Sequence, residues 1–142
     1  MKPDGTPWNL LNPDDEKEFF RLQDEEEPAS LAGSPPCDTL SQLRNLTNFK
    51  RPKEIVEEEE RIGLIHLQNA CRAYERQRCA GRYFVHEHPK SARSWTTDCM
   101  RKLTQHEDVY VIEGPMCKFD MEVEDPMDRT QRGFVIKPTR YA

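Results

Sequence analysis

The longest regular pattern of apolar and polar positions lies in the middle of the chain, at residues 52–79. Apolar side chains recur there every three or four positions, so they fall on one face of a helix. Glutamates cluster toward its start and arginines toward its end, the arrangement that complements the helix dipole. The pattern predicts one long amphipathic helix that covers a sheet and is capped near Gly81. Its buried face is predicted to carry Val56, Leu64, Leu67, Cys71 and Tyr74, flanked by Ile62 and Ile65.

A shorter helix is predicted to begin after Asn12. Asn12 can cap the helix, Pro13 suits the first helical position, and the acidic residues that follow complement the dipole. The helix is expected to fade before Pro28, because proline cannot continue it. Its buried stripe is predicted to consist of Phe19, Phe20 and Leu22.

Short apolar runs that are typical of strands precede and follow the long helix. They lie at residues 30–32, 83–85, 109–112 and 133–136, and residues 95–103 read as a further short helix. A strand, a helix and a second strand in succession form the βαβ pattern of a parallel sheet. We therefore expect an α/β fold with a parallel sheet, flanking helices and polar loops toward its C-terminal end, in which residues 83–85 form a buried strand.

The composition allows one domain with a modest core. The chain has 142 residues, of which 35% are hydrophobic and 33% charged, and its mean hydropathy is −0.93. Residues 1–11 and 120–132 are expected to be loose. No apolar run is long enough to span a bilayer and no secretory-type N-terminus is present, so we expect an intracellular protein of the nucleus or cytoplasm, without a membrane partner.

Charge is unevenly distributed along the chain. Residues 1–60 contain 7 basic and 15 acidic side chains, whereas residues 61–142 contain 14 and 11. A basic stretch at residues 61–102 would suit a polyanion such as DNA, although a solvated helix face explains it equally well. Its basic members are Arg61, Arg72, Arg76, Arg78, Arg82, Lys90, Arg93, Arg101 and Lys102.

The first candidate for chemistry is a cysteine directly after two prolines, in the run Gly33-Ser34-Pro35-Pro36-Cys37-Asp38-Thr39-Leu40-Ser41. Proline fixes its own φ and biases the residue before it toward extended conformations, so the loop is stiff. The thiol is predicted to sit just past a strand end, where α/β folds place their chemistry. The other cysteines, at 71, 79, 99 and 117, are expected to be buried small hydrophobes, without disulfides or a zinc site.

This loop resembles the Pro-Cys nucleophile loop of cytosine C5 DNA methyltransferases, whose usual form is Pro-Pro-Cys-Gln-x-Phe-Ser. Here Asp38 and Leu40 replace the glutamine and phenylalanine. The later stretch Arg82-Tyr83-Phe84-Val85-His86-Glu87-His88-Pro89 resembles the apolar strand of that family that ends in Glu-Asn-Val. Residues 131–136 loosely resemble its Gln-x-Arg-x-Arg segment.

The resemblance implies an incomplete Rossmann-like sheet of methyltransferase type and a role for each matched residue. Cys37 would be the nucleophile that adds to C6 of a flipped-out cytosine, and Glu87 the acid that contacts N3. Substrate contacts would come from Pro36, Ser41, His86, His88 and Arg132. On a strand, His86 and His88 would point to the same face and could be two ligands of a metal, but no third ligand stands nearby in the sequence, so no metal site is predicted.

S-adenosylmethionine is the cofactor that the resemblance implies, yet the six glycines are too scattered to form a donor-binding loop. The chain also resembles methyltransferase-like stretches in retroelement-type polyproteins of unicellular algae, which share His-Glu-His-Pro and Lys-Pro-Thr. We therefore expect a partial methyltransferase domain, inactive alone and completed by the remainder of a polyprotein. The alternative is a non-enzymatic α/β module that binds nucleic acid or a partner chain through residues 61–102.

Overall fold

The structure is a computed structural model that describes residues 2, 5–37, 39–40, 48–115, 122–124, 132–134 and 138–142. In this part of the chain the helices are α1 (Pro13–Glu26), α2 (Lys53–Cys79) and α3 (Asp98–Thr104), and a 3₁₀-helix spans Arg93–Thr96. The strands are β1 (Ser30–Gly33), β2 (Tyr83–Pro89), β3 (Ile112–Pro115), β4 (Glu122–Glu124), β5 (Arg132–Phe134) and β6 (Pro138–Tyr141).

Four of these strands form one mixed sheet in the order β1-β2-β6-β3. β1 and β2 run parallel and are joined through α2, which confirms the α/β class and the predicted βαβ unit. The predicted parallel arrangement is found for this pair, whereas β6 runs antiparallel to both of its neighbours, β2 and β3. Antiparallel neighbours need no helical crossover between them. β4 and β5 pair with each other in a separate two-stranded sheet.

The two longer predicted helices begin where local signals place them, and the short helix predicted at residues 95–103 is observed as the 3₁₀-helix and α3. The Asn12 side chain accepts a hydrogen bond from Asp14 N at 2.9 Å, and α1 ends at a residue of positive φ, Glu27, just before proline. Of its predicted stripe only Phe20 is fully buried, together with Gln23. α2 begins after Pro52 and ends two residues before Gly81, whose φ is +69°.

The later strands differ from their predicted positions. β3 occupies residues 112–115 rather than 109–112, because Val109 N bonds back to the His106 carbonyl in a turn after α3. The strand expected at residues 133–136 is observed as the short β5, and residues 135 and 136 lie outside the described part of the chain. β6 begins at Pro138, at the first position of a strand, where proline is tolerated.

The core lies on the face of the sheet that α2 covers. Along β2, Phe84 and the two histidines face α2, and Phe84 stacks on Tyr74 with ring centroids 4.9 Å apart. The intervening Tyr83 and Val85 are 77% and 48% exposed, so the prediction of a buried strand at 83–85 holds for one face only. The buried cluster comprises Leu40, Leu67, Cys71, Tyr74, Ala92, Trp95, Met100 and Leu103.

Candidate functional site

The loop that follows β1 is held to the rest of the protein at three points. The Ser34 hydroxyl donates to Glu87 Oε2 at 2.8 Å, and the Pro35 carbonyl accepts from His88 Nε2 at 2.7 Å. Further along, the Leu40 side chain is buried in the core at 2% exposure. Because two of the three anchors come from β2, the loop is fixed against the strand that carries the candidate acid.

Cys37 lies in the turn of this loop and is half-buried. Its carbonyl accepts a hydrogen bond from Leu40 N at 3.2 Å, which closes the turn. A cleft of about 280 Å³ beside the loop is lined by Ser34, Pro35 and Pro36, but its lining includes neither Cys37 nor Glu87. Cys37 lies past the end of β1 as expected, whereas Glu87 lies within β2, the neighbouring parallel strand, and neither residue lines that cleft.

Glu87 owes its position to the register of β1 and β2. The last parallel pair joins Gly33 and His86, so the next residues, Ser34 and Glu87, come level just as β1 ends. From Glu87 onward β2 pairs instead with β6, beginning with Tyr141. Glu87 therefore lies where β2 changes from parallel pairing with β1 to antiparallel pairing with β6. The residue is half-buried and within reach of the loop.

His88 connects the loop to the segment that follows β2. A carbonyl can only accept, so the bond to Pro35 requires a proton on Nε2 of His88. The other ring nitrogen lies 2.7 Å from the Ser94 hydroxyl, which donates to it when the ring is neutral. The His88 ring is 0% exposed, so it holds the loop from inside the fold and is not accessible to a substrate.

His86 is also fully buried and packs among aromatic rings. Its Nδ1 is 3.2 Å from the Tyr74 hydroxyl, and its ring stands edge-on to Trp95 at 5.2 Å. Burial, reinforced by the nearby His88, lowers the pKa of His86 to about 3, so the ring is neutral. No hydrogen-bond partner of Nε2 is found among the described residues. A direct contact of His86 with a substrate would require the ring to leave this environment.

Gly33, the last residue of β1, allows Tyr74 to approach the strand. A Cβ at Gly33 would lie 2.0 Å from the Tyr74 hydroxyl oxygen, so any other residue would displace the tyrosine. Tyr74 is 1% exposed and its burial raises the pKa of its hydroxyl, which stays protonated. The end of β1, and with it the start of the loop, depends on this close contact.

Of the remaining predicted substrate contacts, Pro36 is the only one that the described part of the chain places at this site. Pro36 is exposed beside Cys37 and can reach a ligand there. Arg132 lies on β5 and its nearest described partner is Glu122, at 3.9 Å. Ser41 falls outside the described residues. Ser34 is a site residue that the sequence did not predict, because its link to Glu87 depends on the parallel register of β1 and β2.

The other cysteines differ from the expectation that all are buried. Only Cys71 is buried, whereas Cys79 is exposed and Cys99 is half-buried. Cys79 lies in the last turn of α2 and Cys99 in the first turn of α3, positions at which a helix meets solvent. Cys117 falls outside the described residues.

Basic side chains in the stretch 61–102 are locally neutralised. Eight of the nine form ion pairs with carboxylates, most of them on exposed surface, where such a pair contributes about 0–1 kcal/mol. DNA binding by this stretch stays a prediction, and these carboxylates would oppose it. The eight are Arg61, Arg72, Arg76, Arg78, Arg82, Lys90, Arg93 and Arg101.

The cleft at the end of β1 does not fit S-adenosylmethionine. Nucleotide sites of α/β folds use a glycine-rich turn and an acidic residue for the ribose. The cleft at the end of β1 has neither, since its lining contains no carboxylate, and its volume lies at the lower limit for a ligand of that size. Among the described residues, no group of three or more metal-ligating side chains could hold a metal ion. None of the helices described there has the length and apolarity needed to cross a membrane.

Comparisons with protein-family models, with curated proteins and with solved structures return no match for this chain. The case for its function therefore rests on the residues of the loop and of β2 and on their geometry.

Proposed function

We propose that the chain carries the base-side half of a cytosine C5 methyltransferase-type site. In this proposal Cys37 is the nucleophile and Glu87 the acid at the base edge. The observation that carries it is the Ser34–Glu87 hydrogen bond of 2.8 Å, which joins the Pro-Pro-Cys loop to the glutamate of the neighbouring parallel strand. This hydrogen bond ties the loop that carries Cys37 to the strand that carries Glu87.

The neighbouring positions of β1 and β2 support the same proposal. The two strands run parallel and are joined through α2, so the loop that carries Cys37 follows the strand next to the one that carries Glu87.

The chemistry that these residues can perform is activation of a pyrimidine. Cys37, as thiolate, would form a bond to C6 of a cytosine taken out of the base stack, which places negative charge on the ring. Glu87, sharing a proton with N3, would stabilise that charge, and the Ser34 hydroxyl would orient the carboxyl group. His88 would keep the loop in place through the Pro35 carbonyl. The methyl donor would be held by another part of a larger polyprotein.

Covalent trapping tests the nucleophile. A single-stranded oligodeoxynucleotide with one 2-pyrimidinone nucleotide offers an electrophilic C6 that needs no methyl donor. We expect the purified chain to form an adduct visible as a mass increase, and Cys37→Ser to abolish it because a hydroxyl is far less ionised at neutral pH. The matched control is Cys79→Ser, which removes an exposed thiol outside the loop. Adduct formation that survives Cys37→Ser would contradict the proposal.

The role of the acid is tested with the same probe. Glu87→Gln is expected to slow adduct formation by about a hundredfold or more, the usual contribution of a positioned acid. Labelling of Cys37 by iodoacetamide should stay unchanged, since that reaction involves no base. Ser34→Ala should slow the adduct less than Glu87→Gln, and Ser34→Thr, which keeps the hydroxyl, should restore it. Equal adduct rates in wild type and Glu87→Gln would exclude the carboxyl group from the chemistry.

Donor binding is tested separately by calorimetry. Because the cleft at the end of β1 does not fit S-adenosylmethionine and the sequence has no glycine-rich loop, titration of the chain with this compound is expected to give no heat of binding. Micromolar affinity, which corresponds to about −8 kcal/mol, would show that a donor site is present after all.

A further inference from the structure

Two thiols meet at the contact between α2 and α3, away from the loop of Cys37. Cys71 belongs to the buried core on α2, and Cys99, in the first turn of α3, packs against the same core. Both side chains line the same surface cleft. Cys71 Sγ also lies 3.4 Å from Met100 Sδ, so three sulfur-containing side chains adjoin at this contact.

The thiol pair is reachable from solvent through a surface cleft of about 820 Å³. Cys99 is half-buried at the cleft, whereas Cys71 is only 7% exposed. A small reagent therefore reaches Cys99 first. The charged and titratable side chains that line the cleft with them are Arg72, Glu75, Lys102 and His106.

The surroundings of the two thiols shift their pKa values in opposite directions. Hydrogen bonding from the Cys71 thiol, together with Thr97 and backbone N–H groups, lowers the pKa of Cys99 to about 6 against the effect of burial. The hydrogen bond and burial raise the pKa of Cys71. At neutral pH Cys99 is the thiolate, the nucleophilic form, and Cys71 keeps its proton.

We propose that Cys99 and Cys71 form a peroxide-reactive dithiol site, in which Cys99 attacks and Cys71 resolves. The Cys99 thiolate bonds to one peroxide oxygen, the O–O bond breaks, and the leaving oxygen takes a proton, which gives a sulfenic acid on Cys99. The Cys71 sulfur then bonds to the Cys99 sulfur, the S–O bond breaks, and hydroxide leaves with the Cys71 proton as water. Two thiols are oxidised to a disulfide and one peroxide is reduced.

The pH dependence of labelling tests the attacking thiol. At pH 6 about half of Cys99 is thiolate, against about 0.3% of an ordinary thiol, while its lower basicity reduces its intrinsic reactivity by about 13-fold. Iodoacetamide should therefore label Cys99 about tenfold faster at pH 6 than it labels an ordinary free cysteine. Cys99 labelling should be half-maximal near pH 6. A Cys99 rate that keeps rising through pH 8 would overturn the assignment.

Peptide mapping after one equivalent of hydrogen peroxide tests the pair in the full chain. We expect a Cys71–Cys99 disulfide in wild type and equally in the matched controls Cys37→Ser and Cys79→Ser. In Cys71→Ser the Cys99 sulfenic acid should persist and be trapped by dimedone. Because the wild-type result needs no folded variant, a Cys99 sulfenic acid that never proceeds to the disulfide in wild type would refute the proposal. Faster oxidation of Cys37 or Cys79 than of Cys99 would refute it too.

Discussion

Replacing Gly33 by alanine is predicted to destabilise the fold, because the new methyl group would overlap a buried tyrosine. Its Cβ would lie 2.0 Å from the Tyr74 hydroxyl oxygen and 3.0 Å from the Cζ atom of the same ring. Ordinary contact begins at 3.4 Å, so the hydroxyl would have to move by about 1.4 Å. Tyr74 stacks on Phe84 and stands edge-on to His86, which leaves it nowhere to move without disturbing β2.

The expected loss of stability is about 1–2 kcal/mol. Overpacking of a well-packed core costs about 1–3 kcal/mol, and the intrinsic advantage of alanine over glycine in a strand offsets about 0.5–1 kcal/mol of it. With a slope of about 1–3 kcal/mol per molar urea, the unfolding midpoint should fall by roughly 0.5–1 M. Fluorescence of Trp95, which is buried in the core, reports the transition. The change Ala32→Gly, next in β1, measures the intrinsic alanine–glycine difference alone.

A double-mutant cycle with Tyr74→Phe decides whether the hydroxyl is the cause. Tyr74→Phe alone should cost about 1 kcal/mol, since it removes the hydrogen bond to His86. In that background Gly33→Ala should cost at least about 1 kcal/mol less than in wild type, because the atom 2.0 Å away is gone. Additive effects within about 0.5 kcal/mol would refute the reasoning.

Three further perturbations have expected outcomes in the same unfolding assay. Gly63→Ala on α2 places a Cβ 2.2 Å from Thr39 Oγ1 and should destabilise by about 1 kcal/mol. In a Thr39→Ala background it should instead stabilise, by up to about 1 kcal/mol, because alanine is the better helix former; destabilisation in both would contradict this. The pKa of His86 is lowered from 6.5 to about 3, so between these pH values the unfolded chain binds a proton that the folded chain does not. The free energy of unfolding should therefore fall by up to about 1.4 kcal/mol per pH unit as the pH drops from about 6.5 to about 3. His86→Gln should flatten that slope, and an unchanged slope would show that another group titrates. Asn12→Ala should lower the free energy of unfolding by about 1 kcal/mol, because it removes the α1 cap. An unchanged unfolding midpoint would show that the cap contributes no measurable stability.

Helix positions could be predicted from the sequence because their signals are local. Asn12 and Pro13 define the start of α1, and the spacing of apolar residues defines α2 within one residue of its observed start. The parallel pairing of β1 and β2 also followed, since a helix of 27 residues between two strands leaves few other connections.

The remainder of the sheet depends on contacts between distant residues. β6 starts at a proline and contains Thr139 and Arg140, a composition that gives no strand signal. It is a strand because it pairs on both sides, with Arg140 bonded to Glu113 of β3. The Ser34–Glu87 link likewise requires a register that only the folded sheet defines. The two histidines were predicted to share a face, but nothing in the sequence says that this face is the buried one.

The place of β6 has a consequence for the growing chain on the ribosome. β2 ends at Pro89 and its neighbour β6 begins at Pro138, so about 50 residues must be translated before that edge of β2 is paired. At ~5–20 residues per second this takes roughly 3–10 s. During that interval β2 presents unpaired backbone groups next to the exposed Tyr83 and Val85, an edge on which a second nascent chain can add a strand.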